Sequence, residues 1–352
     1  MDAPRATREV AERHRFDEVA LAAWMREAVG VSGDLVVRQF KGGQSNPTFW
    51  LSDGTGQWVL RKKPSGKLLP SAHQVEREAR VIQALQGTDV PVPELVGLEE
   101  DASLIGTAFY VMAYVEGRTF WNVQLPQVAS PEERSAIYAE LARVLAAIHR
   151  VDLEARGLHD YGKPSGYVER QVRRWTKQYR ASETQTVPSM DALIAWLPEN
   201  LPGPDETTLA HGDYRLDNLK FHPTEPRVVA VLDWELSTLG HPLADLAYTC
   251  MLYDVALPRV GGLLGVDFAK TGIPTEERFI DLYLEAAGRD RDSVADFAVF
   301  KAFSLFRLAA IAQGVYARSL QGNASSDEAA MYGAAVAQLG QIACRLVDLR
   351  VE

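Results

Sequence analysis

The most constraining stretch of this chain runs from Leu209 to Glu235. Leu209 and Ala210 read as the apolar end of a strand, and HGDYRLDN at 211–218 as a polar loop. Leu219 to Phe221 is a short apolar rung, followed by a turn rich in proline. Val228 to Leu232 is then an unbroken β-rich run that stops at a carboxylate, Asp233. Taken singly, an aspartate in a loop is a turn former, and one after a strand is a turn residue or helix cap. The ordered set of Asp213, Asn218 and Asp233 asks for more than turn geometry.

Those residue types suit metal-assisted phosphoryl transfer. A carboxylate at Asp213 can accept a hydrogen bond from an attacking hydroxyl and take its proton. The Asn218 amide oxygen and the Asp233 carboxylate are hard donors matched to Mg²⁺. Such an ion bridges phosphate oxygens and offsets the charge that develops on them. His211, at the loop entry, is expected to brace the loop backbone. The pattern H-x-D-x-x-x-x-N followed by a metal-binding Asp is of kinase type.

The remaining motifs exclude other chemistries. No G-x-x-x-x-G-K-[ST] occurs, so a P-loop is not supported. There is no H-E-x-x-H and no paired cysteine motif for zinc, and no G-x-S-x-G nucleophile elbow. A net charge of -10 argues against binding nucleic acid by bulk electrostatics. Two cysteines, Cys250 and Cys344, make no disulfide framework, so a reducing compartment is expected. With no signal-peptide pattern and no uncharged apolar run of spanning length, the expectation is a cytoplasmic protein without a membrane partner.

Along the chain, residues 1–15 are charged and weakly patterned, and read as a mobile start. Phe16 to Trp24 then recur at helical spacing up to Gly30. Leu35–Phe40, Ser45–Leu51 and Gln57–Arg61 read as strands joined by glycine turns, which predicts an antiparallel sheet. Glycines of the first turn, Gly43 among them, allow backbone N–H groups to approach phosphate, with Ser45 and Asn46 as side-chain donors. Period-two alternation puts Val59, Arg61 and Lys63 on one face of the third strand. A helix is predicted over 71–86, with Val75, Ala79, Ile82 and Leu85 buried and Glu76 and Glu78 beside that stripe. Strands follow at 94–99 and 107–115.

Beyond Ser130 the pattern turns helical, opening on a capping box with proline at its first position. The helix at 167–182 carries Arg170, Arg173, Arg174, Lys177 and Arg180, a cluster suited either to solvent or to an anionic acceptor. Further helices are expected from about 242 and over 275–288, 292–320 and 326–349. Gln313, Tyr316 and Arg318 fall to core or surface roles, or to the lining of an acceptor cleft.

HGDYRLDN, LDWE and GHPLADLAY resemble the aminoglycoside phosphotransferase and choline-kinase branch of the protein-kinase-like fold. FKGGQSNPTFWL, WVLRKKPSGKLLPSAH and YVMAYVEGRTFW resemble more closely the kinase-like domain fused to some acyl-CoA dehydrogenases. The likeness covers about residues 30–350. It implies a two-lobed α+β fold, with an antiparallel-sheet lobe at 1–113 for nucleotide and a mainly helical lobe at 114–352 for catalysis and acceptor. By the same resemblance Val59 roofs the adenine, Arg61 takes the phosphate place usually held by lysine, and Lys63 is its alternative. Glu78, in REARVIQAL, pairs with that cation. Adenine bonds the carbonyl of Ala113 and the N–H of Val115, with Met112 behind the ring. Asp245 ties down the catalytic-loop backbone, and Glu235 assists the metal through water.

The reading is transfer of the γ-phosphate of ATP to a small-molecule hydroxyl, with Mg²⁺. The resemblance points to a hydroxyacyl-CoA or an aminoglycoside-like acceptor. The alternatives are a nucleotide-binding module without turnover, against which Asp213, Asn218 and Asp233 together count, and a protein kinase, which the absence of D-F-G and A-P-E disfavours.

Overall fold

A computed structural model describes the chain except residues 1–3, 5, 42–45, 65, 67–72, 257–260, 321–325 and 352, and the side chains of 326–330. Two compact units result. The first comprises Met1–Arg118 with Asn218–Ser237, the second Thr119–Asp217 with Thr238–Glu352.

The first unit is built on a six-stranded antiparallel sheet. Its strands are β1 (Thr7–Arg8), β2 (Val36–Phe40), β3 (Thr48–Ser52), β4 (Gln57–Lys62), β5 (Leu95–Glu99) and β6 (Phe109–Ala113), in the order β1-β2-β3-β4-β6-β5. Phe49, Leu51, Leu60, Phe109 and Val111 pack with Leu21 and Met25 of helix α1 (Glu18–Val29) as one core. Asp17 caps α1 through the N–H groups of Val19 and Ala20, and Gly30 closes it at φ 70°, a conformation that glycine adopts without steric cost. Helix α2 (Val75–Leu85) buries Val75, Ala79, Ile82 and Leu85 as predicted, and Glu78 with them.

Part of the 1–15 segment expected to be loose is ordered by pairing, from Thr7 onward. Thr7–Arg8 pairs with Phe40 and Gln39 as an edge strand. Arg38 reaches Thr7 and Glu9, and the Ala11 N–H donates to the Gln39 side chain. A two-residue strand carries no readable alternation, so only its partner reveals it.

The second unit is mainly helical: α3 (Pro131–His149), α4 (Tyr167–Ser182), α5 (Pro188–Trp196), α6 (Pro242–Cys250), α7 (Phe268–Thr271), α8 (Glu276–Ala287), α9 (Phe297–Arg318) and α10 (Ser326–Leu346). The Ser130 hydroxyl accepts from the Glu133 N–H at 3.3 Å and so caps α3. The predicted 292–320 helix starts later, at Phe297, because Arg291–Val294 forms a separate 3₁₀ turn. That charged segment offers no apolar stripe to bury.

The stretch from Leu209 to Glu235 is divided between the two units. Strand β7 (Thr208–Ala210) pairs in the second unit with β10 (Thr238–Gly240). In the first unit β8 (Leu219–Phe221) pairs with β9 (Val228–Val231). Among the described residues no helix is long and apolar enough to cross a membrane.

Candidate active site

In the first unit, one arginine gathers three carboxylates. Arg61, on β4, places Nε 3.1 Å from Glu78 Oε2 and Nη2 2.8 Å from Asp233 Oδ1 and 3.2 Å from Glu235 Oε2. Lys63, on the same face of the strand, pairs instead with Glu76. Arg61, not Lys63, therefore holds the buried glutamate of α2. The Glu78 side chain is 1 % exposed, and its oxygens also accept from Asn46 Nδ2 at 2.8 Å and the Tyr110 hydroxyl at 3.1 Å. Burial pushes the Glu78 carboxyl up to about 7 against the pull of Arg61, and the charges of Asp233 and Glu235 add to the rise. Burial disfavours the charged form of an acid, whereas a nearby cation favours it.

Asp233 follows β9 in a left-handed conformation, φ 64° and ψ 59°. A non-glycine residue held there marks a position that its surroundings over-determine. Its carboxylate is 41 % exposed and caps no helix, so it is presented rather than used up in local structure. The Leu232 N–H donates to the Asn218 carbonyl at 2.9 Å, which sets Asn218 beside the end of β9.

Val59 and Met112 are register partners across β4 and β6, and both are buried. Ala113 ends β6, with its N–H bonded to the Glu94 carbonyl. Val115 lies two residues beyond and is partly exposed. Gly43 and Ser45 lie outside the described residues.

In the second unit the loop bearing Asp213 is fixed from below. Asp245, on α6, accepts the N–H of His211 at 2.6 Å and of Gly212 at 2.9 Å. His149 stands 3.5 Å away on α3, held in turn by the Tyr283 hydroxyl. Burial pushes the Asp245 carboxyl up, but bonds from His149 and Gly212 and the nearby histidines outweigh it and hold the group below its ordinary value. His211 returns a ring nitrogen to the Asp213 N–H at 3.2 Å, a backbone brace. The Asp213 carboxylate faces Arg215, with Nε 3.4 Å from Oδ1. Arg215 also reaches Asp217 at 2.9 Å. A small pocket opens beside this group, walled by Phe120, Trp121, Met251, Leu252 and Leu308, with Arg215, Asp217 and Tyr248 as polar members.

The basic helix is largely committed to local partners. Arg173 pairs with Glu169, Arg180 with Glu183 and Asp191, and Arg170 donates to the Lys163 carbonyl. Gln313 is buried and donates to the Ser182 carbonyl, a structural role.

Sequence reasoning missed Tyr248, Arg215 and Arg307. Tyr248 hides in an apolar helix, where an aromatic reads as core. Arg307 left a signal: a cation inside the run Phe303, Phe306 and Leu308, which needs a partner if it is buried.

An antiparallel sheet with one inward-facing glutamate helix, followed by a helical unit carrying an aspartate loop, is a kinase-like α+β fold. The phosphotransferase enzyme family matches this chain over residues 36–297, and the chain belongs to that family, a small-molecule kinase by class. A rat protein, acyl-CoA dehydrogenase family member 11, is 46 % identical over 354 residues and is matched by 98 % of this chain. The chain spans only 45 % of that relative's length. The crystal structure of a candidate aminoglycoside phosphotransferase from Ralstonia eutropha is 49 % identical, with a TM-score of 0.86, 95 % of this chain covered and 99 % of that one. A thermostable aminoglycoside phosphotransferase APH(4)-Ia, solved with AMP-PNP and hygromycin B, shares the fold at a TM-score of 0.57 and 17 % identity, covering 92 % of this chain and 98 % of that one.

Proposed function

We propose that this chain moves the γ-phosphate of ATP to a hydroxyl of a small molecule. Asp213 takes the hydroxyl proton. Arg61, positioned by Glu78, contacts the nucleotide phosphates, and Gly43, Ser45 and Asn46 would supply further donors to them. Val59 and Met112 bracket the adenine, and backbone groups of Ala113 and Val115 bond it. The first-unit sheet residues 1–113 then serve nucleotide, and 114–352 serve catalysis and acceptor.

Asn218 and Asp233 would hold Mg²⁺, with Glu235 assisting. The donor set fits such an ion: an amide and carboxylates supply hard oxygens, and Mg²⁺ keeps waters and phosphates for its other positions. Among the described residues no group of three or more histidine, cysteine, aspartate or glutamate side chains is placed to hold a metal ion. Held by Asn218 and Asp233, such an ion would supply positive charge to offset that developing on the transferred phosphate. The protein's own part is to orient the phosphates with Arg61 and to hold the base with its loop.

The observation that carries this reading is the left-handed, solvent-facing Asp233, bound by Arg61 beside a buried Glu78. The acceptor reading leans to a hydroxylated acyl thioester such as a hydroxyacyl-CoA. The pocket beside Asp213 is mainly aromatic and aliphatic, and its one carboxylate, Asp217, is paired with its one arginine, Arg215, which leaves little net negative charge for a polycationic aminoglycoside. The kinship with an acyl-CoA dehydrogenase family protein agrees.

Calorimetric titration of the chain with ATP tests the nucleotide site. Binding is expected to require Mg²⁺ and to weaken roughly tenfold or more in Asp233→Ala, since a lost charged ligand costs on the order of 1–3 kcal/mol. Equal affinity with and without Mg²⁺, in both proteins, would refute the metal assignment. Binding with no transfer to any hydroxyl would favour the non-catalytic module.

A further inference from the structure

The peptide that joins Gly212 to Asp213 is held at both ends. Its N–H, on Asp213, donates to Nδ1 of His211 at 3.2 Å. Its carbonyl, on Gly212, accepts from Nη2 of Arg307 at 2.6 Å. The preceding peptide is fixed as well, because the Gly212 N–H donates to Asp245 Oδ1 at 2.9 Å. Gly212 sits at φ 81°, in the left-handed region that glycine enters without steric cost. Each peptide is a rigid plane. With both planes flanking Gly212 tied down, the direction in which the Asp213 side chain leaves the main chain is set from outside the loop.

Arg307 reaches this loop from α9 and is poorly explained as a stabiliser. It is 7 % exposed, and a buried cation is costly unless it is matched. Its guanidinium carbon lies 4.8 Å from the ring centroid of Tyr248 and 5.5 Å from that of Trp175, so two aromatic faces offset part of that cost. Its Nε finds no hydrogen-bond partner among the described residues. An apolar side chain of similar volume would avoid the desolvation penalty of the charge. What it could not do is bind the Gly212 carbonyl.

We propose that Arg307 is a positioning residue: through the Gly212 carbonyl it holds the Gly212–Asp213 peptide, and so the Asp213 side chain, in the orientation that accepts the proton of the attacking hydroxyl. The proposal rests on the reading above that Asp213 is the base. A bond at the Asp213 N–H alone leaves the peptide plane able to pivot about it. The second bond, at the carbonyl, removes that pivot. A general base must stand within hydrogen-bond reach of the proton it takes, and a misplacement of about 1 Å can cost about 100-fold in rate.

The test compares the full chain with its Arg307→Met variant, which keeps an apolar stem between the two rings and removes the donor. Amide hydrogen exchange of residues 211–213, read by mass spectrometry without nucleotide, reports the clamp itself. Exchange there is expected to quicken about tenfold or more, the scale of a lost charge-assisted hydrogen bond, while exchange in α3 stays as in wild type. Phosphate release from ATP with Mg²⁺, water being the acceptor, reports the consequence. There kcat should fall about 10- to 100-fold, with the KM for ATP held within about twofold. A merely structural arginine would instead quicken exchange across α3 and α9 and lower the melting temperature without that split, and this result overturns the proposal. Arg307→Lys decides the matter where the methionine variant does not fold. Lysine keeps the charge but loses the planar fork, and should move both readouts in the same direction. Unchanged exchange at 211–213 in a folded variant overturns the proposal, and so does wild-type kcat alongside quickened exchange. Wild-type turnover in Asp213→Asn, or no turnover in the wild type, is instead the failure of the base reading, and the exchange result then still decides whether Arg307 holds the loop.

Discussion

Glu78 is the side chain with the clearest consequence for pH. Its carboxyl is raised from 4.5 to about 7, so in the folded protein it keeps a proton that the unfolded chain has released. Stability falls where the native state binds more protons than the unfolded one. The contribution is therefore most favourable below pH 4.5 and is lost as pH rises towards 7. Glu78→Gln removes that dependence. Urea unfolding of both proteins at pH 4.5, 6 and 7.5 should show wild type losing about 3 kcal/mol relative to the variant across the window, by the pKa-to-energy conversion. Parallel curves would contradict it. Asp245 is the opposite case, a buried carboxylate held low, and Asp245→Ala should cost about 3–5 kcal/mol by stranding two loop N–H groups and removing a buried charge partner. Asp213, Asn218 and Asp233 stood out as candidates in the sequence because their spacing is local. The Arg61–Glu78 pairing was legible only through strand alternation and family likeness, since two residues 17 apart in the chain meet across a sheet and a helix. Arg307 was not legible, because its hydrogen bond from α9 to the Gly212 carbonyl joins residues 95 apart.

Secondary-structure elements were readable where periodicity was strong and invisible where an element is defined by its partner. The β2–β4 meander and the stripes of α2 and α3 came from alternation of two and of 3.6 residues. Strand β1, and the β7–β10 pair that joins Ala210 to Thr238, are too short for either period. Close backbone approach leaves its mark as glycine. At Gly117 a Cβ would fall inside the Phe221 carbonyl oxygen, where Arg118 and Phe221 exchange backbone hydrogen bonds. Gly117→Ala must push this bridge apart and should destabilise by about 1–3 kcal/mol, the usual range for overpacking. A melting temperature equal to wild type would show that the bridge is not constrained as described. Ser130→Ala, which removes the α3 cap, should cost about 1 kcal/mol in the same measurement.

At the scale of the whole molecule, residues 218–237 group with the N-terminal sheet although about a hundred residues separate them from it in sequence. Composition and motif order pointed to the fold class, which the family match over 36–297 and the 0.86 TM-score neighbour establish. The grouping of β8, β9 and Asp233 with Arg61 and Glu78 came only from tertiary contact. The central claim is that Asp213 serves transfer rather than binding. It is tested most directly by following ³¹P resonances of ATP with Mg²⁺, the full chain and a panel of hydroxyacyl-CoAs, aminoglycosides and choline-like alcohols. Wild type should produce a new phosphomonoester signal with one class of acceptor, while Asp213→Ala binds ATP equally well and produces none. An Asp213→Ala protein that makes the phosphomonoester at the wild-type rate would contradict the account.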